Sequence, residues 1–167
     1  MGITRQKAVG MYQQLIQLPL GHLSEQMLED TMDNIYALQT VSEQVEKLAE
    51  ELHKRLFGGI DAERCKEYDN LVSSLQDEHL RDSALASLEA GFQDVRSMVQ
   101  KKIAVMSSLM NRDADISIKQ IDRKAFTKAV LKAQPDIKME CFTALAPMFE
   151  VAKVEDDFSE LDNLINE

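Results

Sequence analysis

Residues 24–59 read SEQMLEDTMDNIYALQTVSEQVEKLAEELHKRLFGG. Within them Leu28, Met32, Ile35, Leu38, Val41, Val45, Leu48, Leu52 and Leu56 recur at steps of three or four, and from Leu38 to Leu52 the two steps alternate strictly. This is the spacing of one apolar stripe on an α-helix and, over the alternating part, of a heptad seam. Ser24 can cap the first turn, where Glu25 and Glu29 suit the positive end of the helix dipole, and Gly58-Gly59 ends the run. At about 1.5 Å per residue the helix is roughly 50 Å long. A helix of that length needs an equally long partner to bury its stripe.

The sequence on either side supplies the rest of an all-α fold. Downstream, Asp61 can cap a segment striped by Cys65, Tyr68, Val72 and Leu75. Polar residues 76–82 interrupt the stripe, and Asp82 or Ser83 can cap a restart. Leu85, Leu88, Phe92, Val95, Val99, Ile103, Met106 and Met110 then carry it on. With only Gly58-Gly59 between them, the two long elements are expected to pack antiparallel, as a coiled-coil-like helical hairpin. Upstream, Thr4 can cap a short helix over 5–17 with Val9, Tyr12, Leu15 and Ile16 on one face, stopped by Leu18-Pro19-Leu20-Gly21. Beyond 110, Ile116 and Ile118 alternate with polar residues. Asp122 then opens a helix bearing Ala125, Phe126, Ala129 and Val130, and Pro135-Asp136 opens another bearing Met139, Phe142, Leu145 and Phe149. The expected division is a helical hairpin or bundle over 1–110, a small C-terminal helical lobe over 111–150, and an acidic tail over 151–167.

Bulk properties narrow the function classes. The chain has 167 residues, 44% of them hydrophobic, which is enough for a real core and argues against wholesale disorder. Its net charge of −10 disfavours a general electrostatic grip on nucleic acid or on an anionic membrane. The densest local basic group, Lys119, Arg123, Lys124, Lys128 and Lys132, reads as a solvated helix face. No stretch reaches the roughly 18 apolar residues of a membrane span, and residues 1–7 lack a signal-peptide core. Cys65 and Cys141 lie far apart on apolar stripes and form no CxxC, so a reduced, buried pair is expected, in keeping with a cytoplasmic setting.

No catalytic constellation and no cofactor motif is present: GxSxG, GxxxxGK and GxGxxG are all absent. His22, His53 and His79 lack a second ligand at metal spacing, and the acid pairs Glu50-Glu51 and Asp156-Asp157 lie in charge runs rather than in a pocket pattern. The most specific local pattern is NRDADISIKQID over 111–122, which resembles an EF-hand calcium loop. Asn111, Asp113 and Asp115 occupy alternate ligand positions, Ser117 offers its carbonyl, and Asp122 stands at the last position. Ile116 replaces the turn glycine, and Asp122 is shorter than the usual Glu. The 18 residues of 150–167 hold seven acids and one lysine, with Phe158, Leu161, Leu164 and Ile165 at helical spacing. This tail is either a solubilising terminus or a recognition helix whose apolar side chains enter a partner's groove while its acids meet a basic rim.

In Leu15, Leu18-Pro19, the Asn34-Ile35 step and the charged seam over 43–56, the N-terminal third resembles small uncharacterised helical proteins of tailed-phage structural gene clusters. The run over 118–126, leading to Leu145, is similar to their C-terminal lobe in outline. The resemblance implies a virion-assembly or accessory role, in the virion or the cytoplasm, with no catalytic residues to transfer. The sequence therefore predicts a non-enzymatic helical interaction or structural protein that self-associates as a homo-oligomer or binds a protein partner through its seams and tail, without nucleic acid or membrane. The alternatives are a calcium-responsive module using 111–122 and an acidic nucleic-acid mimic that blocks a DNA-binding protein.

Overall fold

The structure, a computed structural model, describes residues 2–149 and 158–166. Regular structure among them is helical: α1 Arg5–Leu15, α2 Glu25–Phe57, α3 Ala62–Ser74, α4 Arg81–Gly91, α5 Gln93–Met110, α6 Arg123–Ala133, α7 Met139–Ala144 and α8 Ser159–Ile165, with a 3-10 turn at Ala146–Met148. No helix among these residues is long and apolar enough to cross a membrane. The chain is all-α, as its periodicity predicts.

Local chemistry sets half of the helix starts among the described residues. Thr4, Ser24, Asp61 and Asp122 each accept a hydrogen bond from a first-turn amide: Lys7, Met27, Glu63 and Ala125, respectively. Such caps satisfy amides that have no partner inside the helix. The restart after residue 80 differs from expectation. α4 begins at Arg81 behind Leu80 and has no side-chain cap, so neither Asp82 nor Ser83 serves. The interruption over 76–80 is a set of turns closed by Asp77, which accepts from the His79 amide.

The partner of α2 is shorter than the sequence predicts. α1 and α5 pack against α2, whereas α3 folds back on α4. Arg64 of α3 joins Asp94 at the start of α5 by 2.6 and 3.2 Å hydrogen bonds and also donates to the Gly91 carbonyl. Its guanidinium lies 4.9 Å from the centre of the Phe92 ring, which in turn meets Tyr68 at 6.3 Å. These contacts explain a break that the stripe conceals. Phe92 leaves helical geometry for one residue and separates α4 from α5, with its ring drawn toward Tyr68 and Arg64. The chain then returns along α2, with Lys102 Nζ 3.3 Å from His53 Nδ1 and Lys119 joined to Asn34.

The main core does not divide at residue 110. Ala8, Met11, Leu15, Leu38 and Val41 form one cluster with Ala114, Ile121, Phe126, Val130, Phe142, Leu145, Met148 and Phe149. Two stripes are rotated from their expected positions. α1 buries Ala8, Met11 and Leu15 and leaves Ile16 exposed. Ala8 is too small to stand out in a hydrophobic pattern. In the first third of α2, residues 25–35, the fully buried side chains are Thr31 and Asn34, flanked by half-buried Met32 and Ile35. Both polar groups are satisfied: Thr31 donates to the Met27 carbonyl at 2.7 Å, and Asn34 pairs with Lys119.

Asn34 fixes the connector between α5 and α6. Its Oδ1 accepts from the Lys119 amide at 2.7 Å, and its Nδ2 donates to the Lys119 carbonyl at 3.0 Å. Both faces of the carboxamide are used, as a neighbouring strand would use them. The same connector is held by the Ala114 amide on the Ile3 carbonyl and by the Ile121 amide on the Met148 carbonyl. Ile116 and Ile118 turn onto the core between exposed neighbours, so the two-residue period is real although no strand forms there. The last of these ties places the start of α6 beside the 3-10 turn.

Candidate functional site

Two surfaces at the C-terminal end combine charge with exposed apolar groups. The first is α8. Phe158, Leu161, Leu164 and Ile165 are 63%, 54%, 61% and 72% exposed, the first at the N-cap of α8 and the other three within it. Glu160 and Asp162 sit among them. The remaining acids of the tail except Glu167 fall within 150–157 and, like Glu167 itself, lie outside the described residues.

The second surface is a cleft of about 640 Å³ between α6, α7 and the 3-10 turn. Its lining joins Arg123, Lys124 and Lys128 to Leu131, Met139, Phe142 and Phe149. Phe142 and Phe149 are buried and form its floor, and Met139, which is 68% exposed, stands at its lip. The floor is backed by the core, where the Phe149 ring packs 5.5 Å from the Phe126 ring. The cations reach one side of the cleft because α6 carries Arg123, Lys124, Lys128 and Lys132 and no acid. Three residues of the basic group read as a solvated face thus line a pocket. Lys119 is drawn elsewhere, to Asp33 and, at 3.6 Å, to Asp30 of α2. Its pKa is raised, chiefly by the hydrogen bond to Asp33. Nothing in the sequence marked the cleft, because its two walls come from helices separated by an irregular turn.

The five residues matched to a calcium loop have other local roles. Asn111 ends α5, and Asp113 accepts from the Asp115 amide at 2.7 Å. Asp115 has a φ of 55°, a left-handed conformation that Asp tolerates. Ser117 is exposed between Ile116 and Ile118, and Asp122 accepts from the Ala125 amide at 3.0 Å. The segment runs between anchors at Ile3, Asn34 and Met148 instead of wrapping round a centre. Among the described residues no group of three or more His, Cys, Asp or Glu side chains gathers that could hold a metal. Cys65 and Cys141 are free and half-buried, less covered than their stripes suggest. His53 stacks on Phe57 at 4.7 Å on the surface of α2.

No protein-family model, no curated protein and no solved structure matches the chain.

Proposed function

We propose that this protein is a non-enzymatic helical interaction protein that docks on a protein partner through α8. The observation that carries this reading is the exposure of Phe158, Leu161, Leu164 and Ile165 within eight consecutive positions. Single exposed apolar residues are ordinary on a protein surface, whereas four large ones on one short helix and its N-cap make an adhesive face. The interspersed acids keep that face soluble and favour a partner with a basic rim. A virion-assembly or accessory role, implied by the resemblance of the N-terminal third, is one setting for such a module.

The reading is tested by a photo-crosslinking amino acid placed at Leu161 in the full chain, in the cells that naturally make it. Adducts of defined mass are expected from position 161 and not from Gln39, a half-buried position on α2. Equal labelling from both positions, or no adduct from either, would sink the reading.

A further inference from the structure

The cleft and the tail helix are complementary in sign, size and apolar content. α6 carries four cations and no acid, and three of those cations line the cleft. The tail carries seven acids and one lysine, and α8 itself carries two of the acids, Glu160 and Asp162, and no cation. The cleft has an apolar floor, Phe142 and Phe149, with Met139 at its lip, and α8 with its N-cap Phe158 offers four large apolar side chains, each more than half exposed. At about 1.5 Å per residue, α8 is roughly 10 Å long and α6 roughly 16 Å, so the shorter helix fits along the longer. In this structure α8 does not occupy the cleft of its own chain: its apolar residues are exposed, and none of them is among the cleft's lining.

We infer that α8 of a second copy of this chain docks in the α6–α7 cleft, so that two copies exchange tails in a reciprocal dimer. The inference rests on the reading of α8 as a docking element and adds its occupant. Each copy has one tail and one cleft, so a two-fold pair satisfies both tails and both clefts and closes without leaving a free end. The acids at Glu160 and Asp162 meet Arg123 and Lys128 at the edge of the contact. Leu161 and Leu164 enter over Phe142 and Phe149, where Met139 can adapt its flexible side chain to them.

A charge-swap experiment on the full-length chain tests this. One variant carries Arg123→Glu and Lys128→Glu, and the other carries Glu160→Lys and Asp162→Lys. All four positions are exposed, so both variants should keep the wild-type circular dichroism spectrum. Wild type is expected to dimerise in sedimentation velocity, and each variant alone to stay monomeric, because both of its interfaces repel. Mixing the variants should restore a 1:1 dimer, since the altered tail then meets the altered cleft and the native tail meets the native cleft. Leu161→Ser with Leu164→Ser should weaken dimerisation about ten-thousandfold, roughly tenfold for each of the four leucines that the two exchanged tails bury.

A wild type that stays monomeric at hundreds of micromolar overturns the inference. So does a mixture of the variants that remains monomeric, or a single chain bearing all four substitutions that regains compactness without dimerising, which would place the tail in its own cleft. If the chain is monomeric while Leu161 still crosslinks to another protein, the docking role of α8 stands and only the second copy is excluded.

Discussion

Replacing Asn34 should cost more than any hydrophobic pattern suggests. The side chain is 1% exposed and spends both ends of its carboxamide on the Lys119 backbone, at 2.7 and 3.0 Å. Asn34→Ala deletes both bonds and leaves the amide and carbonyl of Lys119 facing an apolar gap. At about 1 kcal/mol for each hydrogen bond, the loss is about 2 kcal/mol, more if water cannot reach the vacated groups. For a chain of this size that is a fall in Tm of about 4–8 °C. Asn34→Leu separates hydrogen bonding from volume: it keeps the bulk and should lose as much, because it covers the Lys119 amide without pairing it. Asn34→Asp keeps the acceptor for that amide but sets a carboxylate oxygen against the Lys119 carbonyl. Its folded-state pKa is then raised, because only the protonated form can donate to that carbonyl. Its deficit relative to wild type should therefore shrink as the pH falls into the acid range. Urea titration followed by far-ultraviolet circular dichroism measures all three. A loss below about 0.5 kcal/mol for both Ala and Leu would refute the clamp, since it would put the two bonds below the range of an ordinary one.

Three further outcomes follow from the same contacts. Asp122→Ala should cost about 1 kcal/mol through loss of the α6 cap, and by the same amount with and without calcium; a cost that grows in calcium would restore the ion-binding reading of 111–122. Leu145→Ala, at a fully buried position shared by α1, α2 and α6, should cost about 3 kcal/mol by transfer and cavity terms, and a value under about 1 kcal/mol would mean that the shared core is not close-packed. Asp94 has its pKa lowered, chiefly by the hydrogen bond from Arg64, and Lys119 has its pKa raised, chiefly by the one to Asp33. The Asp94 contribution should be present above an unfolded value of about 3.9 and vanish as pH falls through the lower folded value. The Lys119 contribution should be present below about 10.4 and vanish as pH rises through the higher folded value. Melting curves of Asp94→Asn and Lys119→Met against wild type should converge at those opposite extremes, with modest differences elsewhere because both pairs are exposed.

What was legible in the sequence is what is decided within a turn or two of chain. Ser24, Thr4, Asp61 and Asp122 mark helix starts because capping involves residues two or three apart. The length of α2 is legible because Gly58-Gly59 follows an unbroken period. What was missed depends on long-range contact. Thr31 and Asn34 do not look like core, yet extending the alternation of Leu38, Val41 and Val45 backwards lands on Asn34, Thr31 and Met27. The register was therefore present in the spacing, and the polarity of its occupants hid it. A buried Asn at such a position helps fix which segment lies opposite, since that segment must offer one donor and one acceptor, as the Lys119 backbone does. The break at Phe92 and the turning of α3 onto α4 come from Arg64 and Tyr68, residues far away in sequence with no local signature.

The placement of the two C-terminal surfaces also constrains the strength of any docking. The cleft is built on Phe142 and Phe149, which the core holds in place, so its shape is set before a partner arrives. α8 differs, because a helix of 7 residues is too short to be stable by itself in water. Docking must therefore order the helix as well as bury its stripe, and part of the interaction free energy goes to that ordering. A single tail in a single cleft is then a weak contact, and two exchanged tails give a useful one only because the second joins within an already formed pair. This predicts a dimer that responds steeply to protein concentration and to salt. Substitutions that strengthen α8 as a helix, such as Asn163→Ala, should tighten the dimer without touching the cleft. If Asn163→Ala raises the helicity of the tail but leaves the dimer constant unchanged, helix ordering is not what limits docking.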